Sequence, residues 1–157
     1  MIVDKNALHA ELRDVVEAEL AGAERAHRTT MEGATHEEAK PENDKDTRAL
    51  EQTYLARGQA MRVDGMRTTL AEVKSMRVDI VSSRIILGSL VTIEEDDATQ
   101  VLFITPGGGG SRLAGGQVQV VTLKSPLGAA LVGKTEGEEC EVKVAGRVRE
   151  LTIVRVE

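Results

Sequence analysis

Apolar residues follow two different rhythms along this chain, and the rhythm changes near Ile80. From Val3 to about Arg28, Leu8, Leu12, Val15 and Val16 recur at spacings of three and four, with Ala7, Ala18, Ala21 and Ala23 around them. That period predicts an amphipathic helix with high-propensity filler. Asp4 is the expected N-cap, with Val3 and Leu8 closing over it. A second helical stretch runs from about Glu42 to Arg77 and carries Leu50, Tyr54, Met61, Leu70, Val73 and Met76 at looser spacing. Stripes this narrow do not sustain a globular core, but they zip two helices into an antiparallel hairpin. Gly33 and Pro41 punctuate the intervening "MEGATHEEAKPEN", so the tip of the hairpin is expected there. Gly58 and Gly65 each weaken the second helix by about 1 kcal/mol relative to alanine, and leave room for bending or close approach.

After Ile80 the texture is that of strands. "SRIILGSLVTIE" and "TQVLFIT" are rich in β-branched residues and leucine, and the acidic "EDDA" between them reads as a turn. "PGGGGSRLAGG" at Pro106–Gly116 has no periodicity and reads as a loop. "QVQVVTL" alternates as a third strand, and "ECEVKV", "AGR" and "VRELTIVRVE" make a terminal hairpin. The expectation is an α+β chain: residues 1–79 an antiparallel helical hairpin, residues 80–157 a twisted antiparallel sheet with one short helix packed on it.

That short helix is written in "KSPLGAALVGK". Ser125 is a preferred N-cap, and Pro126 sits at the first helical position, where its missing N–H costs nothing. Leu127, Ala130 and Leu131 give one apolar face, and Gly133 ends the helix in a left-handed turn.

Composition narrows the chemistry. Hydrophobic residues make up 41% of the 157, enough for a core, but one Phe, one Tyr and no Trp make that core aliphatic. An aromatic-walled ligand pocket is therefore not expected, and Tyr54 and Phe103 alone do not furnish a prolyl-isomerase site. The net charge of −6 repels nucleic acid and disfavours direct DNA binding. Cys140 is the only cysteine, which excludes an intramolecular disulfide and suits a reducing cytosol; its alternating flanks read as a small buried core residue. The start of the chain turns charged too early for a signal peptide, and no apolar run spans a bilayer, so a cytoplasmic location is expected. His9, His27 and His36 share no metal-ligand spacing, "GGGG" lacks the Lys-Ser/Thr of a phosphate loop, and Ser125 sits in no nucleophile elbow.

"LGSLVTIE" at Leu87–Glu94, followed by "SPLGAALVGKTEGEECEVKV" at Ser125–Val144, resembles the carboxy-terminal domain of the bacterial Gre transcript-cleavage factors. The resemblance extends over essentially the whole chain and is strongest in S-P-L-G-x-A-L-x-G-K. It implies an amino-terminal coiled coil joined to an FKBP-like domain, bacterial RNA polymerase as the partner, and docking of the sheet domain, through Ser125 and Pro126, at the entrance of the polymerase's secondary channel. The coiled coil of such factors reaches down that channel, where nascent RNA is met only within the polymerase complex. The chain is then no enzyme itself; it stimulates the polymerase's own nuclease.

Between Glu32 and Asp46 lie six acidic residues, Glu32, Glu37, Glu38, Glu42, Asp44 and Asp46, opposed by Lys40 and Lys45. Carboxylates suit Mg²⁺, and two-metal phosphodiester hydrolysis needs ions that activate water and stabilise the leaving oxygen. The family's tip reads D-L-S-E-N-A-E-Y. Ungapped, Glu42–Asn43 takes the E-N place, Pro41 the serine's, Ala39 the aspartate's and Asp46 the tyrosine's. The resemblance thus makes Glu42 a catalytic and metal-coordinating residue, with Glu38, one residue from the aspartate's place and longer, as the substitute second carboxylate. The Mg²⁺ belongs to the polymerase, and the chain carries no cofactor of its own. Three readings stay open: a cleavage-stimulating elongation factor; a non-catalytic occupant of the same channel, motivated by Ala39; and a protein-interaction module, in which long helical arms self-associate instead of leaving a monomer. The arginines along both arms, among them Arg25, Arg57 and Arg62, read as solvated charges pairing with Glu and Asp, or as a stripe towards RNA.

Overall fold

The computed structural model describes residues 3–38 and 47–157, with side chains over 3–33 and 48–157. Two long helices come first, α1 (Lys5–Glu38) and α2 (Thr47–Ser75), and form the helical hairpin. Asp4 caps α1, its Oδ1 accepting from the Asn6 N–H at 2.9 Å. α1 continues ten residues past the expected end at Arg28 and passes straight through Gly33, because a single glycine costs only about 1 kcal/mol in a helix this long.

The sheet has six strands in the order β3-β4-β2-β1-β6-β5. They are β1 (Leu90–Glu95), β2 (Ala98–Thr105), β3 (Arg112–Leu113), β4 (Val118–Thr122), β5 (Glu139–Val144) and β6 (Arg147–Val156), with α3 (Pro126–Leu131) between β4 and β5. Two-residue loops close both hairpins. Asp96 and Asp97 both take positive φ, as do Ala145 and Gly146, the geometry that matches strand twist.

Two features of the sheet depart from the sequence reading. The apolar run "SRIILGSLVTIE" is not one strand: only Leu90–Glu95 joins β1, and Arg84 makes an isolated bridge to Thr135. Gly88 breaks it, with φ of 90° and the position of an absent Cβ only 2.3 Å from the Arg77 carbonyl oxygen. The second feature is that β2 and β4 pair in parallel within an otherwise antiparallel sheet. A parallel neighbour requires a crossover of about a dozen residues, and the glycine-rich segment after Thr105, with β3 inside it, is that crossover.

One face of the sheet is buried across most of its strands, and the other over β1, β2 and β4, whereas β5 and β6 expose that second face. The first carries Val91, Ile93, Leu102, Ile104, Val121, Leu151 and Ile153 against Leu127 and Leu131 of α3. The other carries a ladder of Leu90, Phe103 and Val120 across β1, β2 and β4, flanked by Val118. This second face is closed within a compact unit formed by residues 1–15 and 69–157, so the root of the hairpin packs as part of the sheet unit. Leu8, Leu12, Val73 and Met76 are buried there. The Glu11 carboxylate accepts from the Ala114 N–H at 3.0 Å, and Gly107 has no room for a Cβ against Thr69.

Residues 16–68 form the second compact unit. Its seam is filled by Val16 and Leu20 of α1 and by Ala56 and Val63 of α2, with Arg67 reaching Glu24 at 3.3 Å. Leu50, Tyr54 and Met61, expected in the seam, are exposed instead. At 100° per residue they lie roughly opposite Ala56 and Val63, so a single helix face cannot hold both sets.

On the sheet, Arg149 donates from Nε to Glu95 at 2.9 Å and again from Nη2. These hydrogen bonds hold the Glu95 carboxyl below the ordinary 4.5. A depressed carboxyl stabilises the fold above its unfolded value and loses that contribution as pH falls through the folded one. The stability gap between the wild type and Glu95→Gln, read from urea titrations, is therefore expected to be constant well above pH 4.5 and to narrow as the pH falls below it. A gap that persists at lower pH would show that packing of the side chain, and not its charge, matters.

Candidate functional site

The exposed corner where β4 turns into α3 is fixed by local chemistry. The Ser125 hydroxyl accepts from the Gly128 N–H at 3.0 Å and donates to the Thr122 carbonyl oxygen at 2.8 Å. The Ser125 N–H donates to the same carbonyl at 3.1 Å. Pro126 follows at the first helical position and is exposed. Gly128 lies so close beneath this turn that an added Cβ would stand 1.9 Å from the Thr122 oxygen. At the far end Gly133 takes φ of 86° and donates to the Ile85 carbonyl at 2.8 Å, while Arg84 Nη1 donates to the Gly133 carbonyl at 3.1 Å. A helix of six residues is thus pinned at both ends, and Ser125 and Pro126 form a rigid, outward-facing knuckle.

Clefts flank that knuckle. One, of about 420 Å³, is lined by Gly109, Gly110, Gln119, Thr122, Ser125 and Pro126 among others. The second, of about 600 Å³, is walled by Met76, Ile80, Ile86, Leu87, Pro106 and Leu123, with Lys124 at its edge. Ile80, Leu123 and, above all, Val81 are exposed, an apolar rim beside a basic side chain. The sequence reading assigned this rim nothing. Its members come from two segments far apart in the chain, and only the runs of apolar residues after the second helix and after "QVQVV" hinted at it.

Cys140 is buried, as its flanks implied; its thiol is pushed up by burial, with Sγ 3.6 Å from the Ala130 carbonyl oxygen. His9 Nε2 is engaged with the Val73 carbonyl oxygen at the hairpin root. Glu38 is the last residue of α1, and its side chain is outside the described set. Glu42 and its neighbours Ala39, Pro41 and Asn43 lie outside the described residues altogether, so the two carboxylates have no measured geometry. Among the described residues, no group of three or more His, Cys, Asp or Glu is placed to hold a metal ion, and no helix is long and apolar enough to cross a membrane.

Residues 80–157, which include the knuckle and most of both clefts, match the family model described as transcription elongation factor, GreA/GreB, C-terminal. The chain belongs to the GreA/GreB family. A transcription elongation factor GreA from Magnetococcus marinus is 27% identical over 133 residues, which span 84% of this chain and 75% of that protein. Among solved structures, GreA factor homolog 1 (Gfh1) of Thermus thermophilus is 16% identical with a TM-score of 0.40, covering 92% of this chain and 94% of that one. Gfh1 of Thermus aquaticus is 19% identical with a TM-score of 0.42 and 92% coverage of both chains. GreA/GreB from Nitrosomonas europaea is 21% identical with a TM-score of 0.38, covering 59% of this chain and 78% of that one. As a Gre-type factor the chain is classed with transcription elongation factors and not with enzymes. The matched segment of this Gre-family chain begins just after α2, whereas the compact unit that contains it also takes in residues 1–15 and 69–79.

Proposed function

We propose that this chain binds bacterial RNA polymerase at its secondary channel, docks there through the Ser125–Pro126 knuckle, and stimulates cleavage of backtracked nascent RNA. The observation that carries the reading is the family match over residues 80–157 in a chain whose α1 and α2 form a two-helix hairpin. The 34 residues of α1 give a rod about 50 Å long. Glu38 ends that rod and Glu42 follows it in sequence, so carboxylates are concentrated in the sequence just at and after the end of α1. When bound, the polymerase's Mg²⁺ supplies activation of water and stabilisation of the leaving oxygen. Glu42 and Glu38 provide oxygen ligands of the kind Mg²⁺ prefers.

A second reading, favoured by Ala39 in the aspartate's place, is a channel-binding regulator without cleavage activity. A carboxylate misplaced by an ångström costs about 100-fold in rate. Purified, deliberately backtracked elongation complexes separate the two. With Mg²⁺ and the wild-type chain, the nascent RNA is expected to shorten, and Glu42→Ala is expected to slow that shortening by about 100-fold. No shortening, together with competition against a cleavage-competent factor, selects the regulator. Absence of polymerase binding removes both readings.

A further inference from the structure

The back of α2 presents a surface that the hairpin seam leaves exposed. Leu50, Tyr54 and Met61 are 56%, 61% and 71% exposed. They lie within about 40° of one another around the helix. Gly58 and Gly65 share this face, and a Cβ added at either meets nothing within 4 Å. Bulky residues seven apart therefore alternate with glycines seven apart, on the side of the helix away from Ala56 and Val63.

We propose that this face is an interface between two copies of the chain, packed with their α2 helices antiparallel about a twofold axis midway between residues 59 and 60. Three observations select a second copy as the occupant. The pattern is self-complementary: turning one copy end for end sets Tyr54 over the partner's Gly65 and Met61 over the partner's Gly58, so each bulky side chain enters a gap left by a missing one. Isologous pairing of this kind places the same patch on both subunits. Charge agrees as well. In an antiparallel pair the same flank of each helix meets, which brings Arg57 beside the partner's Asp64 and, by symmetry, Asp64 beside the partner's Arg57, about 3 Å apart along the axis. In the single chain Asp64 makes an exposed contact with Arg67 at 3.3 Å, an ion pair of little strength. Finally, glycine in the middle of a helix is otherwise unfavourable, and close helix approach gives both of these glycines a use.

Sedimentation equilibrium of the full chain, from about 1 to 500 µM, tests the proposal without polymerase, so its failure is separable from failure of the cleavage reading. The apparent mass is expected to rise from one chain to two. Gly58→Leu with Gly65→Leu is expected to weaken the dimer at least about tenfold while the melting temperature does not fall, because each new side chain occupies open space in the monomer. Tyr54→Ser with Met61→Ser, at exposed positions, gives the same weakening by removing the knobs instead of filling the holes. Arg57→Asp weakens the pair, and adding Asp64→Arg restores it. A single-chain mass throughout, a glycine variant that dimerises like the wild type, or a charge exchange that fails to restore pairing would each overturn the proposal.

Discussion

Gly128→Ala is expected to lower the stability of the sheet unit by about 3 kcal/mol, although alanine is the better helix former. The reason is a backbone collision. A Cβ at this position would stand 1.9 Å from the Thr122 carbonyl oxygen and 2.8 Å from its carbon. That oxygen is held by two hydrogen bonds from Ser125, so it cannot swing aside without releasing the cap of α3. Either α3 moves off the sheet, opening the contacts of the buried Leu127 and Leu131, or the turn before it unwinds. Thermal unfolding followed by circular dichroism is expected to show a drop of about 10 °C or more. Unchanged melting would mean that the knuckle is softer than its hydrogen bonds imply. Ser125→Ala, which removes the cap and leaves the space alone, is the natural comparison, with a loss of about 1 kcal/mol.

Phe103→Ala is expected to cost about 3–5 kcal/mol. Phe103 is fully buried, and its strand neighbours Leu90 and Val120 stand on either side of it in the ladder. With no other phenylalanine and no tryptophan in the chain, no second large ring is available to collapse into the space. A loss of that size is a large part of the 5–15 kcal/mol typical of whole domains. Urea titration should show the midpoint shift with the slope retained, whereas Phe103→Leu, closer in volume, should lose less than about 1.5 kcal/mol. Equal losses in the two variants would place the ring outside the core.

Features decided by neighbours in sequence could be read from the chain. The caps at Asp4 and Ser125, Pro126 at the first helical position, the left-handed Gly133 and the acidic turn at Asp96–Asp97 each follow from residues within a few positions. Features decided by distant partners could not. Gly128 is explained only by Thr122 across a turn, and Gly88 only by Arg77 eleven residues back. The parallel pairing of β2 and β4 is invisible to alternation, which has the same period in either direction. Leu50, Tyr54 and Met61 misled for a related reason: helical spacing tells which residues share a face, but not which face meets the partner helix. Of the site, Ser125 and Pro126 were legible through their capping chemistry, while the rim of Ile80, Val81 and Leu123 needed the folded chain to assemble it.

The carboxylate of Glu11 on the Ala114 amide, with the ladder of Leu90, Phe103 and Val120 closed in the same unit, has a practical corollary. Anyone cutting this protein at the family boundary near residue 80, to crystallise the carboxy-terminal half or to graft it onto a relative's arm, severs a single folding body. The excised piece would bare a greasy sheet face and invite precipitation. A chimera should instead exchange material within residues 16–68, leaving the first fifteen residues with the domain they help to seal.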